Sequence, residues 1–554
     1  MHNESIADQL SLLAKLMDLH GENSFRARTY QNAAFIIEKL EQPAAELSVQ
    51  QLGAVKGIGE SVAFKVHELL DTGQISALNT LIQKTPPGVL HMMQVKGLGP
   101  KKVKQLWKEA GIANIPELKK ACEAGTLASI KGFGEKTQQK IFESIRFMEQ
   151  SGNKFLYADA EGFVEALQQA WQKQYAGELL QVVGDFSRQL PVIEVLTWVT
   201  TAHVDAVCNF LQESGIEIKN TRAAVVEGCS PENIPLRFVL AAKENFGSEV
   251  FRHNCSAAYF EAWQKQFGFT DTAAEEDIFA AAHLPYQPPY LRERSSEAGS
   301  QLVPTPIQTH HIKGLIHAHS KWSDGSNTLE EMAGALIARS YEYLVITDHS
   351  QAAYYASGLE PEHIIKQHAE IDALNKKLAP FKIFKSIECD ILSDGRLDYD
   401  EQILSSFDLV IASLHSNLQM SAEKAAQRLM AAIQNPYTTI LGHLTGRLLL
   451  RRPGYPVDHK TIITACAQQG VAIEINANPW RLDLDWQWIQ YALKQGVLLS
   501  INPDAHAVDE FNNNRYGILA AQKGGLQPQQ NLSSFSLHQF EDYLAKRNRL
   551  LLQR

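Results

Sequence analysis

A chain of 554 residues, 45% of them apolar, is too long for one compact core and predicts three or four domains. No apolar run is long enough to span a bilayer, the opening MHNESIADQL lacks the basic-then-apolar layout of a secretory leader, and the six cysteines form no Cys-x-x-Cys pair. These features set aside membrane, disulfide-framework and thiolate-zinc classes and predict a cytoplasmic protein. The net charge of -10 does not set nucleic acid aside, because Val95 to Lys140 holds ten lysines against four glutamates.

The first 150 residues predict helices. Amphipathic spacing runs through Ile6, Leu10, Leu13 and Leu16, and a second helix is expected from about Ser24 to Leu40. A short motif then occurs three times: Val55-Lys56-Gly57-Ile58-Gly59, Val95-Lys96-Gly97-Leu98-Gly99 and Ile130-Lys131-Gly132-Phe133-Gly134. Each copy precedes a helical segment, and the irregular spacing indicates motif reuse, not a solenoid. A Gly-x-Gly turn frees backbone N–H groups at a helix N-terminus, where they can grip a DNA phosphate without reading sequence. Gly57, Gly59, Gly97, Gly99, Gly132 and Gly134 are therefore candidate DNA contacts. Lys101, Lys102, Lys136 and Lys140 lie where a phosphate backbone would run. The competing reading is an ordinary helix turn with a solvated lysine face.

Residues 151–290 mix helical stretches with β-branched runs such as Leu180–Val183 and Val192–Val195, predicting an α+β domain. The proline-bearing stretch from Pro285 to Pro306 reads as a linker, placed at 291–311. From Ile312, seven short apolar runs (312–317, 343–347, 383–387, 409–414, 438–442, 471–475 and 497–501) alternate with helix-length segments, the pattern of a parallel barrel.

What ends those runs carries the chemistry. His317 and His319 end the first, with Asp324 beyond. His349 follows the second, Glu388 the third, His415 the fourth and His443 the fifth, and Asp504 and His506 follow the seventh. In a parallel barrel these ends share one face. Nine imidazoles and carboxylates suffice for two or three divalent ions. A single histidine at a strand end is ordinarily a hydrogen-bonded structural residue, but that reading must here hold at six ends at once. Asp324, His349 and Arg447 are candidate catalytic residues. The Arg447 guanidinium would hold a substrate phosphate or, equally, make a surface ion pair. Asn476 and Asn478 are placed to bind water or substrate, and Cys389 is expected in the core.

The motifs His317-x-His319, Thr347-Asp348-His349, Glu388, Ser413-Leu414-His415, Gly442-His443 and Asp504-Ala505-His506 resemble the polymerase and histidinol phosphatase (PHP) family. The resemblance implies a distorted (β/α)7 barrel with a trinuclear site of manganese, zinc or iron, where water attacks phosphorus. It implies that Asp324, His349 and His506 serve one ion. His317, His319, Glu388, His415, His443 and Asp504 would share the other two, with a carboxylate bridging. The three repeats resemble helix-hairpin-helix motifs. With Phe25-Arg26-Ala27-Arg28-Thr29-Tyr30 they resemble the eight-kilodalton domain of family X DNA polymerases, whose bacterial members match the domain order of nearly the whole chain. The implied divisions are 1–85 (first helix-hairpin-helix), 86–150 (fingers-like), 151–290 (palm and thumb-like), 291–311 (linker) and 312–554 (PHP). In some relatives a lysine near the position of Lys65 forms a Schiff base with an abasic sugar. A solvent-facing lysine is the plainer reading of Lys65.

The palm departs from the family pattern of Gly-Ser, an arginine, then Asp-x-Asp. The chain has Gly184-Asp185-Phe186-Ser187-Arg188 and Glu194-Val195-Leu196. The strand that normally opens with a third carboxylate reads Pro235-Leu236-Arg237, and His253-Asn254-Cys255 stands at the nucleotide-pocket turn. Two-metal phosphoryl transfer needs carboxylates to hold its ions, so loss of polymerase activity is expected. The sequence thus predicts a metal-dependent DNA-processing hydrolase acting on gapped, nicked or 3′-ended DNA in repair. It would be a 3′-5′ exonuclease or an enzyme cutting beside abasic sites. A phosphatase for a small phosphomonoester and a non-catalytic DNA-binding scaffold are the alternatives.

Overall fold

Ile6, Leu10, Leu13 and Leu16 form the buried stripe of a helix over Asn3–His20, which lies against a second helix over Ser24–Glu38. The computed structural model describes residues 3–551 apart from 41, 96, 153 and 223, and it divides into two units at 152/153.

The N-terminal unit is all α. Its apolar core runs without interruption from Ile6 to Ile145, so the division expected at residue 85 does not separate two cores. The three repeats adopt one turn. In each, the N–H between the two glycines donates to the carbonyl three residues earlier: Ile58 to Val55, Leu98 to Val95 and Phe133 to Ile130, all at 3.0 Å. The residue between the glycines is buried each time. The first glycine is left-handed in every copy, with φ of 95° at Gly57, 92° at Gly97 and 91° at Gly132. Helices then start at Glu60, Pro100 and Glu135.

The C-terminal unit holds a five-stranded mixed sheet and a barrel. The sheet runs in the order Leu180–Val183, Leu196–Thr200, Pro235–Leu240, Val225–Cys229 and Glu217–Arg222. Its core stacks Trp198 on Phe238 at 5.1 Å between ring centroids.

The barrel has seven parallel strands in sequential order: β1 (Gly314–Ile316), β2 (Tyr343–Ile346), β3 (Lys382–Asp390), β4 (Leu409–Ser413), β5 (Thr438–Leu441), β6 (Ala472–Asn476) and β7 (Leu499–Asn502). All seven lie on the expected apolar runs. The ends of β1 and β7 meet through a parallel bridge between Ala318 and Ala505, with His319 N–H donating to the Ala505 carbonyl at 2.8 Å. That bridge nearly closes the cylinder and brings the His317 and Asp504 segments side by side.

The expected linker is docked, not loose. Arg292 is fully buried, pairs with Glu275 at 2.6 Å and lies over the rings of Phe251 and Phe279, and Ile307 is buried as well. Proline and charge marked this stretch as irregular, but its cation is neutralised inside the fold. The sheet domain and barrel are also joined by Lys523, at the end of the helix Asn514–Lys523. Its buried ammonium donates to Glu293 at 2.8 Å and to the Arg188 carbonyl at 2.7 Å.

Candidate metal centre

All nine predicted ligands come together at the C-terminal mouth of the barrel. Glu388, at the end of β3, is the hub. Its two oxygens lie 2.9 Å from His443 Nε2, 3.0 Å from His349 Nδ1, 3.1 Å from His415 Nε2, 3.4 Å from His317 Nε2 and 3.7 Å from His319 Nε2. Asp504 Oδ1 lies 3.2 Å from His319 Nε2 and 3.5 Å from His317 Nε2. Asp324 Oδ1 faces His506 Nε2 at 3.5 Å and His349 Nε2 at 3.6 Å.

Three donor groups result: His319, Asp324, His349 and His506; His317, His319 and Asp504; and His349, Glu388 and His415. His319 and His349 each belong to two of these, so the donors interlock more than the expected partition has it. Two of these candidate ligands sit on left-handed backbone, His317 at φ 66° and Asp504 at φ 54°. Non-glycine residues hold that conformation only where their surroundings over-determine it, and such residues gather at functional sites.

The ring orientations fit bound cations. His317 Nδ1 donates to Glu474, His415 Nδ1 lies 3.1 Å from Asp390 Oδ1, and His506 Nδ1 lies 3.1 Å from the Asp504 carbonyl. With the outer nitrogen occupied, each ring turns Nε2 and its lone pair inward. Several inward atoms have no hydrogen bond among the described residues: His317 Nε2, both ring nitrogens of His319, His349 Nδ1 and Glu388 Oε2. Buried polar atoms are rarely left so, and a cation satisfies them together.

Electrostatics point the same way. Burial raises the cost of charge throughout, yet His415, His317 and His349 drive the Glu388 carboxyl well below its ordinary range. Burial likewise opposes ionisation of Asp324, but its bond to His506 brings it down to about 2. Burial opposes protonation of His415, whereas Glu388 raises it to about 10. His319, desolvated and facing His506 and His349, is pushed down to about 3. The site is a cage of ionised acids and imidazoles.

Sequence reasoning missed two residues here. Glu474, wholly buried within β6, accepts from His317 Nδ1, His443 N–H at 3.0 Å, Asn476 Nδ2 at 2.9 Å and Asn502 Nδ2 at 2.8 Å. Arg481, in the loop after β6, places Nε 3.3 Å from Asp504 Oδ2. Asn476 bonds Asp504 at 3.0 Å, supporting the cluster, whereas Asn478 Oδ1 caps its own turn at Trp480 N–H. Cys389 is core, as expected.

Arg447 is not brought to the cluster. Its Nε donates to the Arg481 carbonyl at 2.9 Å, and its terminal nitrogens engage Asp485 and the Leu482 carbonyl. In the N-terminal unit, Lys101, Lys136 and Lys140 are exposed, whereas Lys102 folds back to the Gly97 carbonyl at 3.5 Å. Lys65 is ion-paired with Glu68, whose carboxyl is held at about 2 by bonds from Lys65 and Ser76.

A seven-stranded parallel barrel whose mouth gathers histidines and acids able to hold metal is the architecture of a PHP-type phosphoesterase domain, and comparison with known proteins agrees. Over 171 residues the chain is 30% identical to a probable phosphatase of Caldanaerobacter subterraneus subsp. tengcongensis, covering 29% of this chain and 60% of that protein. It is 25% identical over 248 residues to a probable phosphatase of Edwardsiella ictaluri, covering 43% and 93%. Residues 1–75 match the family model described as a helix-hairpin-helix domain, and 89–146 match a SAM-like helix-hairpin-helix tandem. Over 576 residues the chain is 31% identical to the DNA polymerase/3′-5′ exonuclease PolX of Bacillus subtilis (strain 168), covering 99% of this chain and 100% of that protein. The chain belongs to the bacterial family X DNA polymerases that carry a C-terminal PHP domain.

Proposed function

We propose that this chain is a metal-dependent DNA phosphodiesterase that removes nucleotides from 3′ ends, and that its polymerase function has been lost. The observation that carries the reading is the set of three histidines anchored at Nδ1 by Glu474, Asp390 and the Asp504 carbonyl, with Nε2 converging on Glu388, Asp504 and Asp324. His317, His319, Asp324, His349, Glu388, His415, His443, Asp504 and His506 would hold two to three ions, manganese, zinc or iron. Such ions lower the pKa of bound water and neutralise phosphate charge. The protein's own part is to fix the donors, keep their outer nitrogens protonated and exclude other hydrogen-bond partners.

The helix-hairpin-helix turns at Gly57, Gly59, Gly97, Gly99, Gly132 and Gly134, with Lys101, Lys102 and Lys136, would hold gapped, nicked or 3′-ended DNA by its phosphates. In this reading residues 1–85 and 86–150 bind DNA, 151–290 are a palm relic, 291–311 connect, and 312–554 hydrolyse.

The palm reading rests on what occupies the carboxylate positions. Leu196 is fully buried, Glu194 is exposed and paired with Lys154 at 2.6 Å, and Arg237 pairs with Glu227 at 3.0 Å. Among the described residues, every group of three or more side chains able to hold a metal lies in the barrel. The probable-phosphatase relatives favour a second reading, hydrolysis of a small phosphomonoester.

The test presents 3′-labelled DNA and p-nitrophenyl phosphate in parallel, with manganese. Shortening of DNA from the 3′ end, abolished by His319→Ala or Asp504→Ala with DNA affinity retained, is expected. Turnover of the small ester alone selects the second reading, and template-directed primer extension overturns the loss of polymerase function.

A further inference from the structure

Two arginines stand near the centre, and their donors are used differently. All three guanidinium nitrogens of Arg447 are engaged, on the Arg481 carbonyl at 2.9 Å, the Leu482 carbonyl and Asp485. Arg481 uses Nε toward Asp504 Oδ2 at 3.3 Å, while its terminal nitrogens make no hydrogen bond among the described residues. Asp504 turns its other oxygen toward His317 and His319. Arg481 therefore lies one carboxylate away from the donor cluster with its forked end unspent, the form in which an arginine takes a phosphate.

The loop that carries Arg481 is turned by its own bonds, with the Arg481 and Leu482 N–H groups both donating to the Asn478 carbonyl at 2.8 and 3.1 Å. Leu482 has φ 42°, a left-handed value that a non-glycine residue adopts only under restraint. Two further restraints come from outside the loop. Arg447 grips the carbonyls of Arg481 and Leu482. On the far side, Arg447 and Leu482 line a cavity wall shared with Gln189, Leu190 and Pro191 of the five-stranded domain. That turn is rigid: Leu190 N–H donates to the Asp185 carbonyl at 3.0 Å, and the Pro191 carbonyl accepts from Tyr157 N–H at 3.2 Å. Leu190 also packs against the barrel's main apolar core.

We propose that Arg447 and the Gln189–Pro191 turn form a brace that fixes Arg481 over the metal centre, so that Arg481 anchors the substrate phosphate and the palm-like domain serves as a positioning element of the barrel. Arg447 and Leu190 are positioning residues, since they act through Arg481. This inference rests on the phosphoester reading of the site and assigns the polymerase-like domain a task that needs no polymerase chemistry.

The test is a double-mutant cycle on the full-length, manganese-loaded protein. Calorimetry reads the binding of inorganic phosphate, and manganese content and thermal unfolding are recorded for every variant. R481A is expected to weaken phosphate binding about tenfold or more with manganese content unchanged, and R481K to recover part of the loss. R447A should weaken binding to a similar extent, and the R447A/R481A pair should be no worse than R481A alone. L190A should weaken binding a few-fold in the wild-type background and not at all beside R481A.

Unchanged binding in R481A overturns the anchor. Additive losses in R447A/R481A overturn the brace, because a merely structural role would add. An L190A effect that persists beside R481A overturns the part given to the palm-like domain. A wild-type protein that holds manganese but binds no phosphate overturns the phosphoester reading, and this one with it.

Discussion

Glu474→Gln is the most informative single change, because it keeps shape and removes one acceptor oxygen from a site with no slack. Oε1 of Glu474 accepts from His443 N–H at 3.0 Å and Asn476 Nδ2 at 2.9 Å, and Oε2 accepts from His317 Nδ1 and Asn502 Nδ2 at 2.8 Å. All four donors are wholly or nearly buried. Whichever way the amide turns, its NH2 opposes two donors. At about 1–3 kcal/mol for each buried donor left unpaired, the variant should lose roughly 2–6 kcal/mol of stability. His317 also loses the carboxylate that fixes its tautomer, and manganese affinity should fall about 10–100-fold. Thermal unfolding measures the first loss, and elemental analysis after dialysis against limiting manganese measures the second. Adding Asn502→Asp gives the amide nitrogen an acceptor in place of one of the two opposed donors, so about half of the lost stability should return while metal affinity does not. A Glu474→Gln protein within about 1 kcal/mol of wild type and with unchanged manganese affinity would refute the reasoning.

Cation binding must expel protons: burial opposes it, yet Glu388 raises His415 to about 10, and Asp324 raises His506 to about 9 against the same burial. Both imidazoles are thus protonated near neutrality without ions, and manganese affinity should rise with pH from about 6 to 9 with measurable proton release; affinity independent of pH would contradict this. His253 is lowered to about 4 by burial, then by Arg252, Arg237 and Arg188. The folded state then binds fewer protons than the unfolded state between about pH 4 and 6.5, so stability is full above that window and falls as the pH drops through it. After discounting for partial exposure the loss is about 1–3 kcal/mol, and His253→Gln should flatten the decline in urea unfolding. Gly57→Ala forces a side chain onto φ 95° with its Cβ 2.5 Å from Ile36 Cδ1 and should cost about 1–3 kcal/mol, read by hydrogen exchange across residues 49–72, whereas Gly99→Ala, at φ -76° with nothing within 4 Å, should be near neutral.

The converging cluster was legible because strand ends are local in sequence: a run of apolar residues closes on a histidine or acid, and the barrel does the convergence. Glu474 was hidden inside such a run. Its signal is a lone acid two residues from Asn476 in Ala472-Ile473-Glu474-Ile475-Asn476, where the period of two puts both on one face. Arg447 takes the ion-pair reading, with Asp485, for the opposite reason. Closeness to His443 along the chain carries no information on direction, and the Thr445 bonds to Asp483, both at 2.8 Å, turn the segment toward the neighbouring loop. The docked stretch around Arg292 shows the limit of composition, since proline and charge look alike in a loose linker and in one whose arginine meets a buried Glu275.

If polymerase function is lost as proposed, the palm-like domain shows why the site would not simply revert. A two-metal site needs its carboxylates at the rim of an open cleft. Here Leu196, at the place of the second carboxylate, is fully buried beside a core that stacks Trp198 on Phe238. An aspartate there would be an unpaired charge in apolar surroundings, a cost of several kcal/mol before any ion is bound. The neighbouring turn has changed its allegiance as well. Arg188 is held by Asp185 at 2.7 Å and Glu293 at 3.0 Å, its carbonyl receives Lys523 of the barrel, and Leu190 packs against the barrel core. Freeing this turn to cradle a nucleotide would strip the barrel of a supporting wall and leave the buried Lys523 ammonium without the Arg188 carbonyl. On the proposed reading, packing would convert the loss of a few acids into a structural dependence, and a domain would outlast its own chemistry by serving that of its neighbour.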